Sequence, residues 1–491
     1  MPPQSRHGSL PDVIEEIVEK PPSMEDIETA LRVLDFCVKR EHKIHVDGTT
    51  PLKDVVQVLN QRLRRPFSDP NENKGVSNGR RKSQKCYLCQ YLITSSHPQY
   101  PALCKPCGSF NLASSNLSLP KALKLDGKTA LVTGGRINLG FHTSLRLLRC
   151  GTHVIVTSRY PRDAAVRFLA EKDSGKWQKR LRVIGADFRA ANDVFHLVAG
   201  IKQLLRNWNT ENQGKLDILI NNAAQTWTDS VKQERRAIER EDQLLLESSN
   251  YHSLLLETNY SPRFRGGVQS LNLLAFDTEQ KRLNEAFPEE TGIIGRTENT
   301  TLISTTEHEP KTSWVQSLSE IPYEDFISAH SVNTFVPLIL IRELLPLMGS
   351  VRPHEPTLNH PSKPLAHIIN VSAREGIFEP TPTNRHKNGY HLHTNLTKAA
   401  LNMLTETEAA AAWRDRKVAM NSVDPGYLSA AKEVIENRQR NGGWEGCPIG
   451  WEDGAARVLW SIAVGESGKG AIWGRFLKDF GRGEGEERIM R

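Results

Sequence analysis

An α/β fold with a doubly wound parallel sheet is what this sequence predicts, and three observations predict it. In the stretch KTALVTGGRINLG, residues 128–140, a short apolar run (Ala130, Leu131, Val132) breaks into a turn at Thr133-Gly134-Gly135. Over residues 141–149, Leu145, Leu147 and Leu148 then recur at helical spacing. Three more short apolar runs follow at 153–157, 181–185 and 216–220, and strands that alternate with helical stretches build a parallel sheet.

Composition sets the outer bounds. The chain has 491 residues, 38% hydrophobic and 25% charged, ordinary values for a globular protein with room for two or more domains. The net charge of +7 is spread along the chain, apart from a basic patch (Arg80, Arg81, Lys82, Lys85). That patch reads as a solvated linker in preference to a nucleic-acid contact. No apolar run has membrane-spanning length, and the start MPPQSRHGSL lacks the apolar core of a secretion signal. A cytoplasmic location without a membrane partner is therefore expected. Of seven cysteines, four fall in two CxxC pairs, which suits metal in a reducing compartment better than disulfides.

The elements follow in chain order. Residues 1–67 form a helical N-terminal segment. Ser23-Met24-Glu25-Asp26 supplies a capping pattern, and Ile27, Leu31, Leu34 and Val38 make one apolar stripe. A second pattern runs through Leu52, Val55, Val56, Val58, Leu59 and Leu63. These helices carry no catalytic constellation, and the expectation is that they pack on a neighbouring domain, a protein partner or a second copy of the chain. Residues 68–84, rich in Asn, Gly, Lys and Arg, read as a linker.

Residues 85–122 hold Cys86-Tyr-Leu-Cys89 and Cys104-Lys-Pro-Cys107, with fourteen residues between the pairs. Four thiolates so spaced suit a closed, structural zinc site, a ribbon-like module; a fortuitous pattern is the alternative. One pair would suffice for redox chemistry, and a double-zinc ring would need ligands that are not apparent.

The α/β domain spans residues 123–491. In its first turn, glycine lets backbone N–H groups at a helix N-terminus approach a pyrophosphate, although the same turn also serves as a plain tight connection. The second strand ends in Ser158-Arg159 where an acidic residue would hold a ribose 2′-hydroxyl. A guanidinium there favours a 2′-phosphate, hence NADP over NAD, with Arg136 and Arg162 in support; a surface arginine is the plainer reading. The third and fourth runs lead into Ala186-Asp187-Phe188 and Asn221-Asn222-Ala223-Ala224.

With TGGRINLG, ADF and NNAA in register, residues 123–479 resemble the short-chain dehydrogenase/reductase superfamily, a Rossmann-type fold. Further matches are Val332-Asn333, residues 367–371 as the fifth strand, Lys398 as the lysine of the YxxxK signature, and Asp424-Pro425-Gly426 as the turn over the nicotinamide. The cysteine module, NNAAQT, TSW and NVSAREG also resemble a subgroup of long, atypical members. The resemblance implies cofactor contacts from Gly134, Ile137, Asn138, Leu139, Gly140, Ser158, Arg159, Asp187, Asn222, Lys398, Pro425 and Gly426. It implies catalytic roles for Asn333 and Lys398.

The departures bear on chemistry. Asn138 replaces a glycine of the fingerprint and must accept a left-handed backbone. Ala373 stands where the family has its catalytic serine, with Ser372 one residue too early, and Thr394 stands where it has its tyrosine. A threonine hydroxyl is a far weaker acid than a phenol. Tyr390 is the substitute donor expected if one helix carries Tyr390, Thr394 and Lys398 on one face; His391 and His393 are the alternatives. An insertion at about 225–330 reads as a lid or a poorly ordered excursion, in which Trp314 and Tyr323 line a pocket or pack in the core. Residues 427–451 occupy the place of the substrate loop, 451–462 read as a helix and 470–477 as a last strand. Two functions are expected from this pattern. One is an NADP-dependent oxidoreductase on a carbonyl or alcohol small molecule; the other is a nucleotide-binding pseudoenzyme in an interaction or regulatory role.

Overall fold

The computed structural model describes residues 84–208, 214–226, 229, 231–247, 250–256, 260–264, 316–350, 363–378, 389–428 and 447–481. The helices expected in residues 1–67, the linker, Trp314 and most of the substrate loop lie outside them.

Seven parallel strands make one sheet: β1 Thr129–Val132, β2 His153–Ser158, β3 Leu181–Gly185, β4 Ile218–Asn221, β5 Ala366–Val371, β6 Val418–Asp424 and β7 Phe476–Lys478. Their order is β3-β2-β1-β4-β5-β6-β7, the doubly wound α/β arrangement that the strand and helix pattern predicts. The expected last strand is shorter than the apolar run suggested. The helices of this domain are α2 Asn138–Arg149, α3 Pro161–Leu169, α4 Ala191–Asn207, α5 Val231–Leu246, α6 Tyr323–His330, α7 Val336–Leu344, α8 Leu392–Arg416 and α9 Trp451–Glu466. Helix α1, Lys105–Asn116, precedes them in the cysteine segment.

Strand alternation assigns the core. Ala130, Val132, Val154, Val156, Ile218 and Ile220 pack on one face with Leu147, Phe168 and Leu459. Leu131, Ile155, Leu219 and Ile368 pack on the other with Ile201, Leu340 and Ala409. Both faces are covered, which is why the strands read as continuous apolar runs.

Where β4, β5 and β6 end, polar side chains replace the apolar layer. Asn221 Nδ2 donates to Asn370 Oδ1 at 2.8 Å, and Asn370 Nδ2 donates to Thr405 Oγ1 of α8 at 2.9 Å. Thr405 also meets Ser422 of β6 at 2.8 Å.

The inserted segment after β4 contributes α5, whose Ile238 and Leu244 are buried and whose Glu241 accepts the Arg162 and Asp163 N–H groups of α3. Residues 81–491 form one compact unit, and the cysteine segment is seated on α9. Tyr100 Oη and Asn111 Nδ2 donate to Asp453 Oδ1 at 2.8 and 3.0 Å, and Arg457 donates to Asn111 Oδ1 at 2.7 Å. Among the described residues no helix is long and apolar enough to cross a membrane.

Removing the central amide of the polar layer leaves the Asn221 N–H group buried and unpaired. Asn370→Ala should therefore cost about 1–3 kcal/mol, read as a lower urea midpoint of the whole unit.

Candidate active site

The carboxyl ends of the strands open into a cavity of about 1450 Å³, the edge at which open α/β sheets bind ligands. The glycine turn builds its first wall. Gly134 has φ +66° and Asn138 φ +53°, so Asn138 does take the left-handed conformation its position demands. A Cβ on Gly140 would lie 2.3 Å from the Gly134 carbonyl oxygen and 2.5 Å from Asn222 Nδ2. Asn222 Nδ2 donates to the Thr133 and Gly134 carbonyls at 2.9 and 3.2 Å. The turn is thus braced from β4 and closed to any side chain. No acidic residue stands in the first turn of α2, so its N-terminus suits an anion. Ile137, Leu139 and Gly140 line the same wall.

At one end lie Ser158, Arg159 and Asp187, where charges are closely matched. Arg159 Nη2 donates to Asp229 Oδ2 at 2.9 Å, Nη1 reaches Glu234 Oε1 at 3.4 Å, and the guanidinium sits 5.4 Å from the Tyr160 ring centroid. Arg189 bonds the buried Asp187 at 2.6 Å and Glu234 at 2.9 Å. Asp229 and Glu234 belong to the inserted segment, and the sequence reading missed both. Their only sequence signal is charge in a charged stretch. Arg136 lines the cavity and pairs with Asp163 at 2.8 Å. Arg162 does not line it and reaches Glu241 at 3.5 Å, so its expected support for a 2′-phosphate is not seen.

At the other end, Lys398 of α8 is buried and donates to the Val371 carbonyl at 2.7 Å. Burial draws its pKa down to about 8, against the pull of Asp424 and Glu375. Thr394, one helical turn earlier, also lines the cavity; its Oγ1 is buried with no hydrogen-bond partner among the described residues. Ala373 and Ser372 line it as well, but Ser372 Oγ donates to Asn402 Oδ1 at 2.6 Å. Asp424 accepts the Gly426 and Arg374 N–H groups at 2.8 and 3.0 Å, and Gly426 turns with φ +93°. Glu375, also in the wall, has its pKa raised by burial and by Asp424. Nothing in the family pattern pointed to it.

The structure places the substitute donors elsewhere. Helix α8 starts only at Leu392, after His391 in the left-handed conformation. Tyr390 therefore precedes the helix, is 45% exposed and does not line the cavity. The shared helix face expected for Tyr390, Thr394 and Lys398 does not form. His391 does not line the cavity either. His393 is buried with Nε2 2.8 Å from the Thr226 carbonyl, and burial lowers its pKa. Asn333 lies in a π-helical turn, Ser331–Phe335, buried behind the wall. Its Oδ1 accepts the Gln225 N–H at 2.7 Å, and its Nδ2 donates to the Gln225 carbonyl and to Thr397 Oγ1, both at 3.0 Å. It braces the end of β4 against α8 and makes no cavity contact. Tyr323 is 87% exposed and does not line this cavity.

The sulfurs of Cys86, Cys89, Cys104 and Cys107 lie within 4.8 Å of one another, and those of Cys89 and Cys104 are 3.8 Å apart. A tetrahedral ion with metal–sulfur bonds of about 2.3 Å sets an edge of about 3.8 Å, so the cluster fits a thiophilic metal.

A family model described as short chain dehydrogenase matches residues 128–248, from β1 through α5. Protein R665 of Acanthamoeba polyphaga mimivirus, itself named as uncharacterized, is 31% identical over 395 residues, 77% of this chain and 71% of that protein. The chain belongs to the short-chain dehydrogenase family. Among solved structures, a dehydrogenase/reductase from Sinorhizobium meliloti 1021 is 19% identical, covering 74% of this chain and 96% of that one, with a TM-score of 0.41. The angucycline C-6 ketoreductase LanV with bound NADP is 18% identical over 73% and 95%, with a TM-score of 0.43.

Elemental analysis of protein purified under reducing conditions should find about one thiophilic metal per chain. Cys89→Ala should lower that content and the melting temperature together, because metal affinity contributes folding free energy.

Proposed function

We propose that this short-chain dehydrogenase family member is an NADP-dependent oxidoreductase that interconverts a carbonyl and an alcohol, with Lys398 as its proton source. One observation supports this above the others: all twelve residues expected to meet a dinucleotide line one cavity, and Lys398 and Thr394 stand at its far end. The Gly134–Gly140 turn holds the diphosphate, Arg159 takes the 2′-phosphate from its carboxylate partners, and Pro425 and Gly426 back the nicotinamide. The bound cofactor supplies, or takes up, the hydrogen and two electrons of the redox step. The chain supplies the proton.

An ammonium with a pKa of about 8 releases its proton far more readily than an ordinary lysine. Thr394 and Lys398 are i, i+4 neighbours on α8 and so share a helix face. In carbonyl reduction the Thr394 hydroxyl, which has no hydrogen-bond partner among the described residues, gives its proton to the substrate oxygen and takes one from Lys398 Nζ through one intervening water; the neutral amine then recovers a proton from solvent. Threonine thus acts as a relay, and its own weak acidity no longer decides the rate. The four cysteines hold a structural zinc, a closed four-sulfur site with no position left for substrate.

A second reading has a specific observation in its favour: Thr394 and Ala373 stand in the wall where the family has its tyrosine and serine. A protein that binds the nucleotide without turnover, in an interaction or regulatory role, meets that observation equally well.

Two measurements test the proposal. In titrations, NADPH should bind more tightly than NADH, Arg159→Ala should remove the preference, and Asp229→Asn should increase it by releasing the guanidinium. A charge-assisted hydrogen bond of about 1.5–3 kcal/mol corresponds to roughly tenfold or more. Equal affinities in the unaltered chain would rule out the 2′-phosphate role. In turnover across a carbonyl panel, reduction needs the ammonium form, so its rate should fall as pH rises through about 8. Alcohol oxidation needs the neutral amine and should rise over the same range. Lys398→Met should abolish both limbs. Tight NADPH binding with no turnover on any carbonyl supports the second reading.

A further inference from the structure

The cysteine knuckle does more than hold a metal apart from the cavity. Tyr87, between Cys86 and Cys89, is only a spacer in the sequence pattern. In the fold, the Tyr427 N–H donates to Tyr87 Oη at 2.7 Å, across 340 positions of sequence. A Cβ added to Gly426 would sit 3.1 Å from the same oxygen. Tyr87, Leu88 and Gln90 line the cavity that also contains Lys398, Pro425 and Gly426.

The knuckle is fixed where it makes this contact. The Tyr87 N–H donates to the Ala102 carbonyl at 2.9 Å and the Cys86 N–H to the Tyr91 carbonyl at 2.7 Å. The Cys104 N–H donates to Cys86 Sγ at 3.3 Å, so the two CxxC pairs hold each other. The same segment bonds Asp453 through Tyr100 and Asn111, and Asp453 Oδ2 accepts the Gly450 N–H at 3.1 Å. The cysteine segment therefore grips the chain on both sides of residues 428–449, at Tyr427 and at the start of α9.

We infer that Tyr87 is a positioning residue of the active site: it holds the Gly426–Tyr427 turn, so that metal in the four-cysteine cluster sets affinity for the nicotinamide half of the dinucleotide. This rests on the dinucleotide reading above. Without metal the four thiols no longer share a centre, the knuckle backbone gains freedom, and the turn loses the acceptor for its Tyr427 N–H. The glycine turn and Arg159, at the other end, are held from elsewhere, by Asn222 after β4 and by Asp229 and Glu234 of the inserted segment.

That asymmetry gives the test. The full-length, metal-loaded chain is titrated with NADP⁺, which spans the cavity, and with adenosine 2′,5′-bisphosphate, which carries only the adenine half and the 2′-phosphate. Tyr87→Phe should weaken NADP⁺ about two- to tenfold, the range expected for one neutral hydrogen bond. It should leave the bisphosphate affinity and the metal content unchanged. Stripping the metal with 1,10-phenanthroline should give the same split, reversed when Zn²⁺ is restored. Equal weakening of both ligands would show a general loss of structure and overturn the inference. So would unchanged NADP⁺ affinity after either treatment. An unaltered chain that binds neither ligand would remove the dinucleotide reading, and this inference with it.

Discussion

Strands that end together at a ligand groove leave backbone carbonyls and N–H groups that no apolar side chain can satisfy, and the rest of this site depends on how those groups are paired. Asn222 takes the Thr133 and Gly134 carbonyls. Asn221, Asn370, Thr405 and Ser422 run as a buried chain beneath β4, β5 and β6. Asp424 takes the Gly426 and Arg374 N–H groups, and Asn333 takes both backbone groups of Gln225. These amides and carboxylates are spent on backbone or on one another, so the strand ends that frame the cavity are held in place. Thr394 Oγ1 differs from these groups: it is a buried hydroxyl in the wall with no hydrogen-bond partner among the described residues.

The two ends of the cavity use charge differently. At the Arg159 end, guanidinium groups and carboxylates are paired before any ligand arrives. An anionic ligand must exchange partners there, which gives selectivity instead of raw affinity. At the Lys398 end, burial outweighs the nearby carboxylates and lowers the amine pKa to about 8. Opposed shifts in Lys398 and Glu375 are the kind of electrostatic arrangement that accompanies proton transfer.

Much of this was legible in the sequence because it is local. Strands buried on both faces read as apolar runs, and Asn138 in a glycine position could only be left-handed. What the sequence could not show is long-range or set by one dihedral. Tyr390 looked like a helix-face residue until His391, at φ +59°, placed the helix start beyond it. Asp229 and Glu234 reach Arg159 over 70 and 75 positions, from an insertion that read as a lid or a poorly ordered excursion. Tyr87 meets Tyr427 across 340 positions, a pairing that no periodicity encodes. The CxxC spacing gave the convergence of four sulfurs, but not that their knuckle borders the cavity.

The central claim is that one cavity takes a dinucleotide from Arg159 to Lys398. A crystal structure of the full chain with NADP⁺ tests it most directly. The account predicts the 2′-phosphate on Arg159 with Asp229 displaced, the diphosphate over the Gly134–Gly140 turn, and the nicotinamide between Gly426 and Lys398. A nucleotide bound outside this groove, or one whose nicotinamide lies away from Lys398 and Thr394, would contradict it.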